Sequence, residues 1–186
     1  MRLILVSWLA LVAVGFALLL RHSSTPGRDA TATTAAGTPV TARDGQWHAL
    51  LLLHPECPCS LASLAELERL MARLGDRLSV EVLFVDPDGM PFPTSSASWK
   101  RARSIARLRV ERDAEATLAR RYGAWTSGQL ILVAPDGRVA FTGGITSERG
   151  HEGDNMGSEA IASLVTGHSQ APTKTPVFGC PLFGRR

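Results

Sequence analysis

Residues 50–67 read LLLLHPECPCSLASLAEL. An unbroken apolar run ends at His54, Cys57 and Cys59 follow with only Pro58 between them, and a leucine pattern begins at Leu61. Extended upstream as QWHALLLLH (46–54), the run has the length and continuity of a strand covered on both faces. Downstream, Leu61, Leu64, Leu67, Leu70, Met71 and Leu74 recur at helical spacing, and Gly75 is placed to cap the end. Two thiols at a strand-to-helix junction are poor core filling. The stretch therefore reads as a chemical site, with a structural buried thiol as the alternative.

Working outward, LSVEVLFVD (78–86) is a second strand, 87–96 a Pro/Gly/Ser loop, and ASWKRARSIARL (97–108) a short basic helix. RVERD (109–113) reads as a short strand and AEATLARRYG (114–123) as a helix closed by Gly123. QLILVAP, the turn Asp136-Gly137 and RVAFTGG form a hairpin, because Asp-Gly between apolar runs is a strong turn signal. A Gly-rich loop (143–157) leads to a last helix, SEAIASLVTG (158–167), capped by Asn155 or Ser158. The order implies an α/β domain with parallel pairing first and an antiparallel hairpin after it.

The amino terminus has a different character. LILVSWLALVAVGFALLL (3–20) carries no charge and reaches ~27 Å as a helix, close to the ~30 Å hydrocarbon core of a bilayer. RHSSTPGRD follows, a poor cleavage site, so an uncleaved anchor is favoured over a cleaved signal peptide. Arg2 competes with Arg21 and Arg28 in setting orientation, but very short amino-terminal tails usually stay inside. The expected organisation is an anchor over 1–21, a flexible Ser/Thr/Ala/Pro/Gly linker over 22–41, a folded domain over 42–168 and an irregular tail over 169–186. This is a single pass of the cytoplasmic membrane with the soluble domain facing the periplasm or the outside, where disulfides persist. A net charge of +3, without a dense basic block, points away from nucleic acid.

The order strand, cysteine motif, helix, strand, helix, hairpin, helix resembles the thioredoxin fold, a central mixed sheet flanked by helices. ARRYGAWTSGQLILVAPDGRVAFTGGI (119–145) is similar to the later half of membrane-anchored thioredoxin-like proteins of the TlpA/ResA type, and the resemblance spans about 45–166. HPECPCS together with RGHEGDN (149–155) further resembles the RedB-type bacterial subgroup. The resemblance implies a thiol–disulfide oxidoreductase acting on protein thiols or disulfides with a redox partner protein. It gives Cys57 the first-cysteine position and Ser60 the second, with Cys59 an extra thiol between them. The substrate-binding residues it implies are Pro58, Thr126, Ser127 and Gly128, where Gly128 stands at the place of the usual cis-proline. That replacement leaves the usual substrate mode open, and leaves room for metal.

Cys57 should sit at a helix N-terminus, with Pro58 suited to the first helical position. Unpaired N–H groups there stabilise a thiolate, so Cys57 is the expected nucleophile. Cys59 or Cys180, in the tail segment VFGCPLF, would resolve the mixed disulfide, or Cys180 would pin the tail. A Cys57–Cys59 bridge needs a turn, since two extended residues span ~7 Å while bridged Cα atoms lie ~4.4–6.8 Å apart. The expected site is thus Cys57, Cys59 and Cys180 with no cofactor. The alternatives are a copper or zinc carrier using Cys57, Cys59, His54 and His151, and an interaction module without turnover. In the 149–155 loop, Arg149, His151 and Asp154 are either plain loop or neighbours of the cysteines. HEGDN lacks the second His of a zincin, so a metalloprotease is not supported.

Overall fold

The computed structural model describes residues 2–28, 45–86, 92–168 and 170–183. Most of the linker (29–41) and the start of the 87–96 loop (87–91) lie outside the described residues. Helix α1 runs Arg2–Ser24 and is long and apolar enough to cross a membrane, with a mean hydropathy of 2.8. It passes the expected end at Arg21 by three residues. The Ser23 and Ser24 hydroxyls donate to the Leu20 carbonyl at 3.0 and 2.8 Å and so satisfy the last turn. Residues 25–28, read as the start of a free tether, are docked instead. The Gly27 N–H donates to Val177 O at 2.8 Å, and the Arg28 guanidinium lies 3.9 Å over the Trp125 ring.

The domain is a five-stranded sheet in the order β3-β2-β1-β4-β5. Strands β1 (Trp47–Leu53), β2 (Leu78–Asp86) and β3 (Arg109–Ala114) pair in parallel, and β4 (Gln129–Val133) and β5 (Val139–Gly143) close it antiparallel. β1 is central, flanked by β2 and β4, so its apolar run is covered on both faces. Alternate residues serve opposite faces. Leu51 and Leu53 pack with helices α2 (Ser60–Leu74), α3 (Ala97–Ser104) and α5 (Met156–Val165), while Leu50 and Leu52 meet Ala119 of α4 (Thr117–Arg121) and Leu182 of the tail.

The helix boundaries differ from the sequence expectation for identifiable reasons. α2 begins at Ser60 and not at Pro58, because the Ser60 N–H closes a turn onto Cys57 O at 3.0 Å first; Cys59 is the N-cap. α3 stops at Ser104, and Arg107 then takes φ 67° to enter β3. α4 is a short helix whose first donors, the Leu118 and Ala119 N–H groups, bond the Asp113 carboxylate at 2.9 and 2.7 Å. α5 is capped by Asn155, whose Oδ1 accepts from Ser158 N at 2.7 Å.

The tail forms no regular element, yet it is built into the fold. It runs beside β5, where Thr142 N donates to Thr173 O at 3.0 Å and Gly144 N to Pro176 O at 3.2 Å. A Cβ on Gly143 would meet Thr175 Oγ1 at 2.3 Å, so the approach requires glycine. Beyond it the chain turns across the Trp125–Ser127 loop toward the cysteines.

Candidate active site

Cys57 lies in the turn between β1 and α2, fixed by its N–H to His54 O at 3.2 Å, and is 3% exposed. Its sulfur is 2.9 Å from that of Cys180, and the Cys180 backbone N–H points to it at 3.4 Å. Cys59 hydrogen-bonds the same sulfur. All three cysteines are free thiols, and the structure brings together the three that the sequence singled out.

The three do not share a proton equally. The Cys59 thiol donates to Cys57, and the Cys180 thiol and N–H add to it, so Cys57 is held at about 4 despite the opposing effect of burial. Cys59 is pushed up, because its proton is held in that bond and burial adds to the effect. Burial raises Cys180 to about 12, and its bond to Cys57 adds to the rise. The Arg149 charge works in the opposite direction on Cys59 and Cys180. These shifts favour charge on Cys57 and keep the protons on Cys59 and Cys180. This route to a thiolate differs from the one expected, since the helix begins three residues after Cys57 and neighbouring thiols supply the stabilisation.

A hydroxyl network locks the motif to the facing loop. Ser60, 1% exposed, donates to His54 O at 3.0 Å and pairs with Ser127 Oγ at 3.1 Å, and Ser127 Oγ accepts from His54 N at 2.9 Å. The position that the resemblance gives to a second cysteine is therefore a latch. Gly128 has φ +95° and donates to Leu52 O at 2.9 Å. Thr126 Oγ1 donates to Arg28 O at 2.9 Å, and Pro58 is exposed beside the thiols. The backbone of the Trp125–Ser127 loop is taken by the tail: Ser127 N donates to Cys180 O and Leu182 N to Trp125 O, both at 2.8 Å.

Arg149 joins the pieces. Its guanidinium donates to Gly179 O and, at 3.1 Å, to His22 O, and its N–H donates to Ser23 O at 3.1 Å. With Cys59 and Cys180 on the domain and Leu19 and Leu20 on α1, it lines a cleft of ≈ 440 Å³. A smaller cleft of ≈ 140 Å³ reaches Cys57 past Leu61, Ser96 and Ser98. The loop that carries Arg149 is held by Glu66, 4% exposed, which accepts from Gly153 N at 2.6 Å and Asn155 Nδ2 at 3.3 Å and pairs with Arg69. His151 and Asp154 on that loop are exposed and do not line the cleft. His54 turns its Nδ1 to the Glu56 N–H at 3.2 Å. Among the described residues no three His, Cys, Asp or Glu side chains are arranged to hold a metal ion, so the set Cys57, Cys59, His54 and His151 does not converge as one.

Two contributions escaped the sequence reading. Gly179 approaches Ser127 so closely that a Cβ would meet its carbonyl at 1.9 Å, and Glu66 anchors a loop from inside the core. Glu66 occupies an apolar-facing position of the α2 pattern, which was a signal in plain sight.

No protein-family model and no curated protein matches the chain. Solved structures do. An uncharacterized conserved protein from Geobacillus kaustophilus superposes with a TM-score of 0.63 at 16% identity, covering 88% of this chain and 92% of its own. A hypothetical protein from Sinorhizobium meliloti gives 0.61 at 20% identity, covering 85% and 93%. The exposed lipoprotein thioredoxin of Streptococcus pneumoniae gives 0.50 at 19% identity, covering 75% and 98%. With its mixed sheet and its cysteines between the first strand and the following helix, the chain has the thioredoxin-like fold.

Proposed function

We propose that the protein is a membrane-tethered thiol–disulfide oxidoreductase of the TlpA/ResA type, acting on protein thiols and disulfides outside the cytoplasmic membrane. The observation that carries this reading is the three-thiol cluster, in which the buried Cys57 sulfur lies 2.9 Å from that of Cys180 and its acidity is raised by its thiol neighbours. The helix α1 supplies the tether.

The chemistry balances with these groups alone and a partner disulfide. The Cys57 thiolate attacks a disulfide R–S–S–R′, the S–S bond breaks, and R′S⁻ leaves with a proton that Cys59 can supply. Cys180, deprotonated as its proton passes to solvent, attacks the Cys57 sulfur. The Cys57–R bond breaks, RS⁻ leaves, and a Cys57–Cys180 disulfide forms. Two electrons pass from the protein dithiol to the partner, and the same steps reversed oxidise a partner dithiol. A second redox protein with its own thiol pair would return the chain to its starting state.

The test is turnover of a protein disulfide by the full chain in detergent, in a glutathione buffer, with and without added Cu(I). Cys57→Ser is expected to abolish exchange. Stoichiometric Cu(I) binding without any exchange would favour the metal carrier instead.

A further inference from the structure

Residues 179–183 lie on the Trp125–Ser127 loop as a short strand would. Thr126 and Pro181 form an antiparallel bridge, with the two 2.8 Å backbone bonds on either side of it. Leu182, 1% exposed, fills a pocket with Leu50, Leu52 and Ile131, and Phe183 stands edge-on to Trp125 at 5.3 Å. This pairing, with the Arg149 bond to Gly179 O beside it, brings the Cys180 sulfur to Cys57. Backbone pairing does not read which chain supplies it, while the side-chain pocket does. Any extended segment in this register, with a cysteine and a leucine two residues later, would present its sulfur in the same place.

We propose that the tail is a built-in stand-in for the external partner. The partner is an extended segment of the form Cys-x-Leu, and tail and partner alternate on one edge. This rests on the exchange function proposed above. In the mixed disulfide the partner segment occupies the edge. The returning tail displaces it and brings Cys180 to attack the Cys57 sulfur, so that resolution and release are one event. The Cys57–partner bond breaks, the partner leaves as a thiolate that takes up a proton, and the Cys57–Cys180 bond forms.

Gly179→Ala and Leu182→Asp undock the tail without touching a thiol. The full-length reduced protein, in detergent, is mixed with the peptide Pro-Val-Phe-Gly-Cys-Pro-Leu-Phe, whose cysteine carries thionitrobenzoate. Colour release reads the first step, and the lifetime of the mixed disulfide by mass spectrometry reads the second. Both variants are expected to run the first step about tenfold faster and the second about tenfold slower, the factor that ~1.4 kcal/mol of lost docking makes. A general folding defect would slow both. A peptide with Asp in place of its Leu should lose the acceleration. Equal rates in wild type and variants, as for a partner entering by the smaller cleft, overturn the proposal. So do a slowing of both steps and an Asp peptide that reacts as fast. Dithiobis(nitrobenzoate) alone separates the two claims. Failure of wild-type Cys57 to react with it contradicts the exchange function, whereas reaction with it beside tail-insensitive peptide kinetics overturns only the stand-in.

Discussion

Cys57 and Cys180 reach the same point by different physical means. Cys57 sits in a turn fixed between the central strand and a helix, and the Ser60–Ser127 hydroxyl pair ties that turn to the facing loop. Cys180 is carried by irregular chain, and residues 179–183 around it are held by two backbone bonds to the Trp125–Ser127 loop, the buried Leu182, the Phe183–Trp125 contact and the Arg149 bond to Gly179. The first is fixed because its turn is tied at both ends, to the central strand β1 and to α2. The second is packed against a loop and forms no part of the sheet ladder, so its release breaks no strand pairing. A fixed thiolate beside a releasable thiol is the arrangement that exchange with a third party needs.

The sharpest way to break the comparison is to remove each thiol in turn. Cys57→Ser is expected to lose all exchange. Cys180→Ser should keep the first step and trap the mixed disulfide, which gel shift or mass spectrometry would detect. Equal loss in both variants would mean that the tail is no more releasable than the motif.

Acidity gives the next largest effect. Between about 4 and the ordinary thiol value of ~8.5 the unfolded chain binds a proton at Cys57 that the folded reduced chain does not. Stability of the reduced protein is therefore expected to rise with pH through that window, and to be lost as pH falls toward 4. Above ~8.5 the sign reverses, because Cys59 and Cys180 stay protonated only in the folded chain. Thermal unfolding at a series of pH values should show this maximum in wild type and lose the rising limb in Cys57→Ser. A flat wild-type profile contradicts it.

Smaller effects separate the supports. Glu66→Ala takes from the Gly153 N–H its buried acceptor and leaves the Asn155 amide only Gly153 O, which costs about 1–3 kcal/mol. By loosening the Arg149 loop, it should also slow Cys57–Cys180 closure more than it slows attack by Cys57. Ser127→Ala removes the latch on the motif side at a cost of about 1 kcal/mol and should affect both steps alike. Denaturant unfolding and stopped-flow kinetics on the same two variants check both statements.

The legibility of the chain follows the same division. The apolar run at 47–53, the 3.6-residue leucine period and the Asp-Gly turn each have a local physical cause, so strands, helix α2 and the hairpin could be read directly, and with them the place of Cys57 and Cys59. The thioredoxin-like order rested on these. The tail's docking has no period to reveal it, because it depends on a backbone approach at Gly179 and on contacts with residues some fifty positions away, at Trp125–Ser127. The helix formers of 114–123 predict a longer element than α4, whose start at Thr117 is set by the left-handed Glu115 and Ala116. Arg149 is expected beside the cysteines and lies there, whereas His151 on the same loop is exposed and does not line the cleft.

The most direct measurement is a disulfide map of the full chain, equilibrated in a graded glutathione buffer and then alkylated and read by peptide mass spectrometry. A single Cys57–Cys180 link that forms and opens with the buffer, with Cys59 alkylated throughout, is the predicted result. A Cys57–Cys59 link, or three cysteines that stay reduced across the series, would contradict it.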